Sequence, residues 1–187
     1  MNLLSKLKFI LKKPKVIIIT GEGREYTKKS IFQVLNRHPE AGKDVLLSES
    51  DLKNPQDIEE LKFLIDKSSL FILVLNHAAD SPSYLPKMMS AGGWFVLNFD
   101  DETARETDGA AIKTLTFGFK EGADFRATDI NVNGGTNFKI NHKGNTVPVW
   151  LDGICDKEQI YSALAAACVG TILGLNLIEI SQALKNN

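Results

Sequence analysis

A glycine-rich turn follows the first strongly apolar run of the chain, and it is the place where phosphate chemistry is expected. The turn reads Thr20-Gly21-Glu22-Gly23-Arg24 and leads on to Tyr26, Thr27 and Lys28. A turn of this kind between a buried strand and a helix directs backbone N–H groups and the positive end of the helix at an anion. A complete phosphate loop, Gly-x-x-x-x-Gly-Lys-Ser/Thr, also supplies a lysine for the phosphates and a hydroxyl for magnesium. Because that pattern is incomplete here, the turn taken alone is more typical of a structural turn.

Acids, histidines and cysteines are the other residues that could do chemistry. The adjacent Asp100 and Asp101 follow a strand-like run and could form a metal-binding or acid–base pair. Adjacent acids at the start of a helix more often cap it, and we favour that interpretation. We interpret His77 as an ordinary histidine at a strand end. Cys155 and Cys168 lack zinc-site spacing and a disulfide framework, and the alanines around Cys168 predict a small buried side chain.

The segments around these residues alternate between strands and helices. Unbroken apolar runs at 16–20, 70–75 and 94–97 predict strands that are buried on both faces of a parallel sheet. Further strands are predicted at 44–47 and 114–117, and helices at 26–36, 55–67, near 83–89, after residue 101, at 157–173 and at 176–185. This alternation predicts an α/β fold, a three-layer, doubly wound and mostly parallel sheet. Residues 123–151 alternate and are rich in Asn and Gly, which predicts an antiparallel extension of hairpins.

Composition indicates one globular domain. The chain has 187 residues, 43% of them hydrophobic and 24% charged, and a formal charge of −1, which provides no overall field to attract nucleic acid. It has no apolar run long enough to span a membrane and no secretory signal, so we expect a cytoplasmic protein.

The first fourteen residues differ from the rest in charge. They and Lys15 include five lysines and no acid, and the apolar residues before Pro14 have helical spacing. This pattern predicts a basic amphipathic segment at 1–14, followed by the main domain at 15–187. We favour a helix that packs on its own domain; the alternative is a helix that lies on a membrane surface.

Four segments, in the correct order, resemble the central ATP-binding domain of the Mur ligases. That family has Ile-Thr-Gly followed by Gly-Lys-Thr-Thr-Thr-Lys where this chain has the turn at 20–28. Its Val-Leu-Glu-Met-Gly-Ala-Asp-x-Pro is similar to residues 74–82, Val-Leu-Asn-His-Ala-Ala-Asp-Ser-Pro. Its Leu-Asn-Ala-Asp-Asp is similar to residues 97–101, and its His-Asn-x-x-Asn-Ala-Leu-Ala-Ala to residues 158–166. The resemblance spans about residues 15–184 and is strongest to the ligases that add D-Ala-D-Ala to the peptidoglycan precursor.

The resemblance implies a nucleotide site in reduced form. Mur ligases use ATP to convert a substrate carboxylate into an acyl phosphate, which an amine then opens. Arg24 stands at the place of the phosphate-loop lysine, and Glu25 and Asn76 stand at the two magnesium-binding positions. The family's stretch with a metal-binding histidine and a carbamylated lysine looks deleted. The positions implied for a vestigial nucleotide site are Gly21, Gly23, Arg24, Thr27, Lys28 and Gln159.

These departures predict a pseudoenzyme or binding module related to peptidoglycan precursor synthesis, without catalytic residues, metal or cofactor. ATP and magnesium would bind only if the site is still functional. The first alternative is the ATP-binding part of a split peptide ligase whose missing domains come from a partner; the second is a membrane-surface scaffold that binds through residues 1–13. The expected partner is another Mur ligase chain or a cell-wall synthesis protein. We do not expect the chain to bind nucleic acid. We expect a closed or shallow site over residues 21–27, with Tyr26 filling the phosphate space and Glu25 facing solvent or a nearby lysine.

Overall fold

A computed structural model describes residues 3–50, 55–77, 88–89, 93–106 and 112–185. Within these residues, eight strands form one sheet in the order β2-β1-β3-β4-β5-β6-β7-β8. The strands are β1 Lys15–Thr20, β2 Val45–Glu49, β3 Leu70–Leu75, β4 Trp94–Asn98, β5 Lys113–Gly118, β6 Phe125–Val132, β7 Thr136–His142 and β8 Asn145–Leu151. The helices are α1 Leu3–Lys12, α2 Arg24–Arg37, α3 Pro39–Gly42, α4 Pro55–Lys67, α5 Glu102–Glu106, α6 Lys157–Ile172 and α7 Leu177–Leu184.

The sheet is parallel from β2 through β6 and antiparallel from β6 through β8. This arrangement confirms the predicted doubly wound core and the hairpin extension at 123–151. The buried runs form the centre of the sheet, because a strand that is covered on both faces has no solvent side for polar residues. The helix predicted near 83–89 lies largely outside the described residues, and α3 was not predicted.

Helices cover both faces of the sheet and complete the three layers. Along β1, Ile17 and Ile19 face the core shared with α2, α6 and α7, while Val16 and Ile18 face the core shared with α1, α4 and α5. The small side chains of α6, including four alanines, are buried and allow this helix to pack closely on α2 and on the sheet. Close packing of this kind fixes the beginning of α6 against the carboxyl ends of the central strands.

The chain order places a crevice beside β1. The connection from β1 leads to β2 on one side, and the chain then crosses to β3 on the other side. Ligands of open α/β sheets bind at such a switch point, outside the carboxyl ends of the strands. Here those ends carry the glycine turn after β1, Asn76 and His77 after β3, and Asn98 to Asp101 after β4.

Helix α1 lies on the α4 side of the sheet. Phe9 is buried, and its ring centroid lies 5.5 Å from that of Phe63 in α4. No helix of the described residues is long and apolar enough to cross a membrane.

Candidate functional site

The glycine turn, residues 21–23, is fastened to the end of β3. Gly21 and Gly23 have φ values of +89° and +72°, which bend the chain sharply from β1 into α2. The Glu22 N–H donates to the His77 carbonyl oxygen over 3.3 Å. A Cβ atom on Gly21 would lie 2.1 Å from that same oxygen, so only glycine fits this approach. The backbone of the turn therefore packs against His77 with no space between them at Gly21.

A carboxylate occupies the space beside Gly23. A Cβ atom on Gly23 would lie 2.9 Å from Glu158 Oε2 and 3.0 Å from Asn76 Nδ2. Asn76 Nδ2 in turn donates to Glu158 Oε2 over 3.4 Å. Tyr26 was expected to fill the phosphate space, but its side chain is half exposed and the nearest groups to Gly23 come from Glu158 and Asn76. The expectation for Tyr26 was wrong because the first turn of α2 directs this ring outward.

His77 lies between two carboxylates. Its Nδ1 is 3.1 Å from Asp101 Oδ2, and its Nε2 is 3.1 Å from Glu158 Oε1. The ring therefore links the loop after β4 to the first turn of α6. The ring also meets the Tyr161 ring edge-on, with centroids 5.7 Å apart. His77 lies just after β3, as expected for a strand-end residue, but the sequence did not predict that Asp101 and Glu158 would contact its ring. The missed signal was that the polar residues after β3 and β4 share one edge of the sheet.

Two buried amides continue this network under the turn. Asn76 and Asn98 are fully buried, and Asn98 Nδ2 donates to Asn76 Oδ1 over 3.3 Å. Asn98 Oδ1 accepts from the Asp100 N–H at 2.9 Å. Asn76, at one family magnesium position, therefore gives its oxygen to Asn98 and its NH₂ group to Glu158. Among the described residues, no group of three or more His, Cys, Asp or Glu side chains is arranged to hold a metal ion.

Asp100 and Asp101 have structural partners. Asp101 Oδ1 accepts from the Ala104 N–H at 3.1 Å and caps α5, which confirms the interpretation as a helix cap for this residue. Asp100 instead accepts from the N–H groups of Phe119 at 2.7 Å and Lys120 at 3.0 Å, and from the Tyr161 hydroxyl at 2.8 Å. Burial raises the pKa of Tyr161 well above its usual range, and the hydrogen bond to Asp100 and its charge add to the effect. Tyr161 is therefore a neutral donor that ties α6 to the loop after β4.

The two cations at the start of α2 are directed to the other side of the turn. Arg24 Nε lies 3.5 Å from Glu49 Oε2, and Lys28 Nζ lies 2.9 Å from Glu49 Oε1. Glu25 is exposed, as expected, while Lys28 pairs with Glu49 at the end of β2. Both basic side chains at the vestigial phosphate positions are thus compensated by one carboxylate.

The remaining predicted positions are satisfied internally. Thr27 is buried, and its hydroxyl lies 3.0 Å from Ser162 Oγ and 3.2 Å from the Gly23 carbonyl oxygen. Gln159 caps its own helix: its Oε1 accepts from the Asp156 N–H, and its N–H donates to Asp156 Oδ1. The structure therefore places Gly23 and Thr27 against the first turns of α6 and Gly21 against His77, but it leaves Arg24, Lys28 and Gln159 with other partners.

The fold and this site define a class: an α/β domain with a glycine turn at the phosphate-loop position between β1 and α2 and a second helix, α6, that begins opposite this turn. No protein-family model matches the chain. Curated relatives include the UDP-N-acetylmuramate–L-alanine ligases of Persephonella marina, 28% identical, and of a Sulfurihydrogenibium species, 29% identical, each over 135 residues. Each match covers 71% of this chain and 27% of the relative, so the chain spans about a quarter of the length of these relatives.

Solved structures of Mur ligases share the fold. A MurF ligase from Thermotoga maritima, solved with ADP, superposes with a TM-score of 0.74 at 18% identity and covers 95% of this chain and 50% of that one. The D-alanyl-D-alanyl ligase of Acinetobacter baumannii gives 0.73 at 18% identity, covering 96% and 47%. The chain is homologous to the Mur ligases in sequence and in structure. Since the curated relatives add L-alanine while these structures belong to another branch, the closer resemblance to the D-Ala-D-Ala-adding ligases stays a prediction.

Proposed function

We propose that this chain is a Mur ligase-like domain that does not carry out ATP-dependent ligation and serves as a binding module in peptidoglycan precursor synthesis. The observation that carries the proposal is the Glu158 carboxylate packed against Gly23, where a phosphate-binding loop would present its backbone to the nucleotide. The proposed partner is another Mur ligase chain or a cell-wall synthesis protein.

The charges around the glycine turn disfavour the binding of a phosphate group. A phosphate oxygen about 4 Å from a carboxylate costs roughly 4 kcal/mol at an effective dielectric constant of 20. Arg24 and Lys28 offset this cost less than two unpaired cations would, since each lies within ion-pair distance of Glu49. The exposed Glu22 and Glu25 add further negative charge. Acyl phosphate formation needs positioned cations around the transferred group, and this arrangement of residues does not fit a magnesium–nucleotide complex.

Asn76 also supports the proposal that the chain does not carry out ligation, because this residue is a poor ligand for magnesium. Magnesium prefers carboxylate ligands, and a neutral amide binds it more weakly. Both ends of the Asn76 amide are also engaged, with Asn98 and with Glu158. A metal at this position would compete with the Asn98 NH₂ group for Asn76 Oδ1 within a buried network, so this position does not fit magnesium.

Isothermal titration of the full chain with ATP or ADP, with and without magnesium, tests the proposal. We expect no measurable heat of binding at nucleotide concentrations up to about 1 mM, equivalent to less than about 4 kcal/mol of binding free energy. Micromolar, magnesium-dependent binding that is lost in Arg24→Ala would overturn it. The matched control is Arg37→Ala, since Arg37 is an exposed arginine at the other end of α2.

The same titration separates the proposal from its nearest alternative, the ATP-binding part of a split ligase. That alternative requires Arg24 to leave Glu49 and contact phosphate, so it predicts loss of ATP affinity in Arg24→Ala and a gain in Glu49→Gln. A flat titration for wild type, Arg24→Ala and Glu49→Gln favours the non-catalytic domain.

A further inference from the structure

Helix α1 carries an exposed apolar stripe that the domain does not use. Leu4, Leu7 and Leu11 are 71%, 51% and 83% exposed, although each is a large hydrophobic residue. Their spacing of three and four residues places them on one face of the helix. We call these three side chains the leucine stripe. Exposed leucines that share one face of a helix indicate a surface that binds another protein or a membrane.

The other side of α1 holds the helix on the domain. Phe9 is buried against Phe63, and the Lys6 ammonium lies 5.3 Å from the centre of the same Phe63 ring. A groove of about 530 Å³ runs between this helix and the β2 edge, and Phe9 lines it from α1. Lys8 and Lys12 also line this groove but are exposed, and their helical spacing places them between Phe9 and the leucine stripe. The leucine stripe is therefore presented away from the domain by a helix whose opposite face is already anchored.

The charge on the segment that carries the stripe is of one sign. Residues 3–15 contain five lysines and no acid, although the whole chain has a formal charge of −1. Lys6 is engaged with Phe63, and Lys15 donates to the Ala41 carbonyl oxygen over 3.4 Å. Lys8, Lys12 and Lys13 are exposed beside the stripe. A lysine-rich helix with protruding leucines is complementary to an anionic lipid surface, where the leucines enter the acyl boundary and the ammonium groups meet the headgroups.

We propose that α1 docks this domain on an anionic membrane surface, through the leucine stripe and Lys8, Lys12 and Lys13. The helix lies parallel to the surface, with Phe9 holding it to the domain. The proposal does not depend on whether the glycine turn binds nucleotide, because α1 lies outside that site. The expected association is reversible, since a single short helix buries little apolar area.

Sedimentation of the full chain with lipid vesicles tests the proposal. We expect binding to vesicles of equal parts phosphatidylglycerol and phosphatidylcholine, and about 100-fold weaker binding to phosphatidylcholine alone, since each of three lysines contributes about fivefold on an anionic surface. Raising the salt from about 0.1 M to about 1 M should weaken binding strongly, because the screening length falls from about 10 Å to about 3 Å.

Variants on exposed positions separate the two contributions while leaving the fold intact. Leu4→Ser/Leu7→Ser/Leu11→Ser should reduce binding by at least about tenfold. Lys8→Gln/Lys12→Gln/Lys13→Gln should reduce it on anionic vesicles only. The control for the leucine variant is Ile154→Ser/Ile178→Ser, since these two side chains are 78% and 62% exposed and lie outside α1. The control for the lysine variant is Lys62→Gln/Lys143→Gln/Lys185→Gln, since all three are exposed lysines outside α1. Circular dichroism melting verifies that each variant is folded.

Three results would overturn the proposal. The first is equal binding by the leucine variant and wild type. The second is an equal loss in the control lysine variant, which would indicate nonspecific charge attraction. The third is a wild-type chain that does not bind vesicles but self-associates in analytical ultracentrifugation through the leucine stripe; the occupant would then be a second copy of the chain.

Discussion

Gly21 provides the sharpest test of how the glycine turn is held. Its φ of +89° is a conformation that L side chains rarely adopt, and an added Cβ would lie 2.1 Å from the His77 carbonyl oxygen. The obstacle is backbone at the end of β3, so no side-chain rotation relieves it. Gly21→Ala should therefore push the turn away from β3 and break the 3.3 Å hydrogen bond from Glu22 to His77.

Gly174→Ala is the matched control for the backbone conformation. Gly174 has a φ of +93°, and nothing lies within 4 Å of its added Cβ. The control therefore measures the conformational cost alone, about 1–2 kcal/mol. Gly21→Ala adds the loss of a hydrogen bond, about 1 kcal/mol, and the displacement of a packed turn, which together bring the total to roughly 3–5 kcal/mol. The difference between the two variants should be about 2–3 kcal/mol.

Urea unfolding monitored by tryptophan fluorescence measures that difference. Trp94 in the central strand β4 and Trp150 in the edge strand β8 report on the centre and on one edge of the sheet. For a domain of this size we also expect Gly21→Ala to melt roughly 5–10 °C below the control. If the two variants agree within about 0.5 kcal/mol, the turn is not packed against His77, and the site over the turn is not closed at Gly21.

Two further predictions concern buried polar and thiol groups. Asp100→Asn should lower the free energy of unfolding in urea by about 2–4 kcal/mol, because an amide replaces a carboxylate that accepts three hydrogen bonds. The control Asp129→Asn, in an exposed ion pair with Lys139, should lower it by less than about 1 kcal/mol. Equal losses in the two variants would contradict the assigned role of Asp100. Burial raises the pKa of the Cys168 thiol well above its usual range, so the unfolded state loses its proton first as the pH rises above about 8.5. The free energy of unfolding should then fall with rising pH by about 1.4 kcal/mol per pH unit from this group, and Cys168→Ala should remove that part of the slope. An unchanged slope in the variant would show that other groups cause the alkaline loss.

The architecture was largely predictable because it follows from local patterns. The run Val16 to Thr20 cannot be amphipathic, so it had to lie in a strand that is covered on both faces. The Asn and Gly residues between alternating apolar positions at 123–151 indicated hairpins, and β6, β7 and β8 confirm them. These features depend on neighbours within a few residues of one another, which a single sequence contains.

The composition of the site was predictable in part. The replacements at positions 24, 25 and 76 are visible in the sequence once the family pattern is recognised. The ion pairs of Arg24 and Lys28 with Glu49 were not predictable from the sequence. Glu49 lies at the end of a neighbouring strand, and no local pattern specifies the register of that strand.

Residue types and their order along the chain are enough to predict an α/β sheet, a turn where phosphate chemistry is expected, and Arg24 and Asn76 at the positions where the resemblance implies a lysine and a carboxylate. The partners of the polar groups come from the packing of distant segments. His77 meets Glu158 across 81 residues, and Thr27 meets Ser162 across 135. These contacts exist because parallel strands end at one edge of the sheet and the buried alanines of α6 bring its first turn to that edge. Charge and hydrogen-bonding capacity belong to the residue, whereas the group that satisfies them is set by the fold.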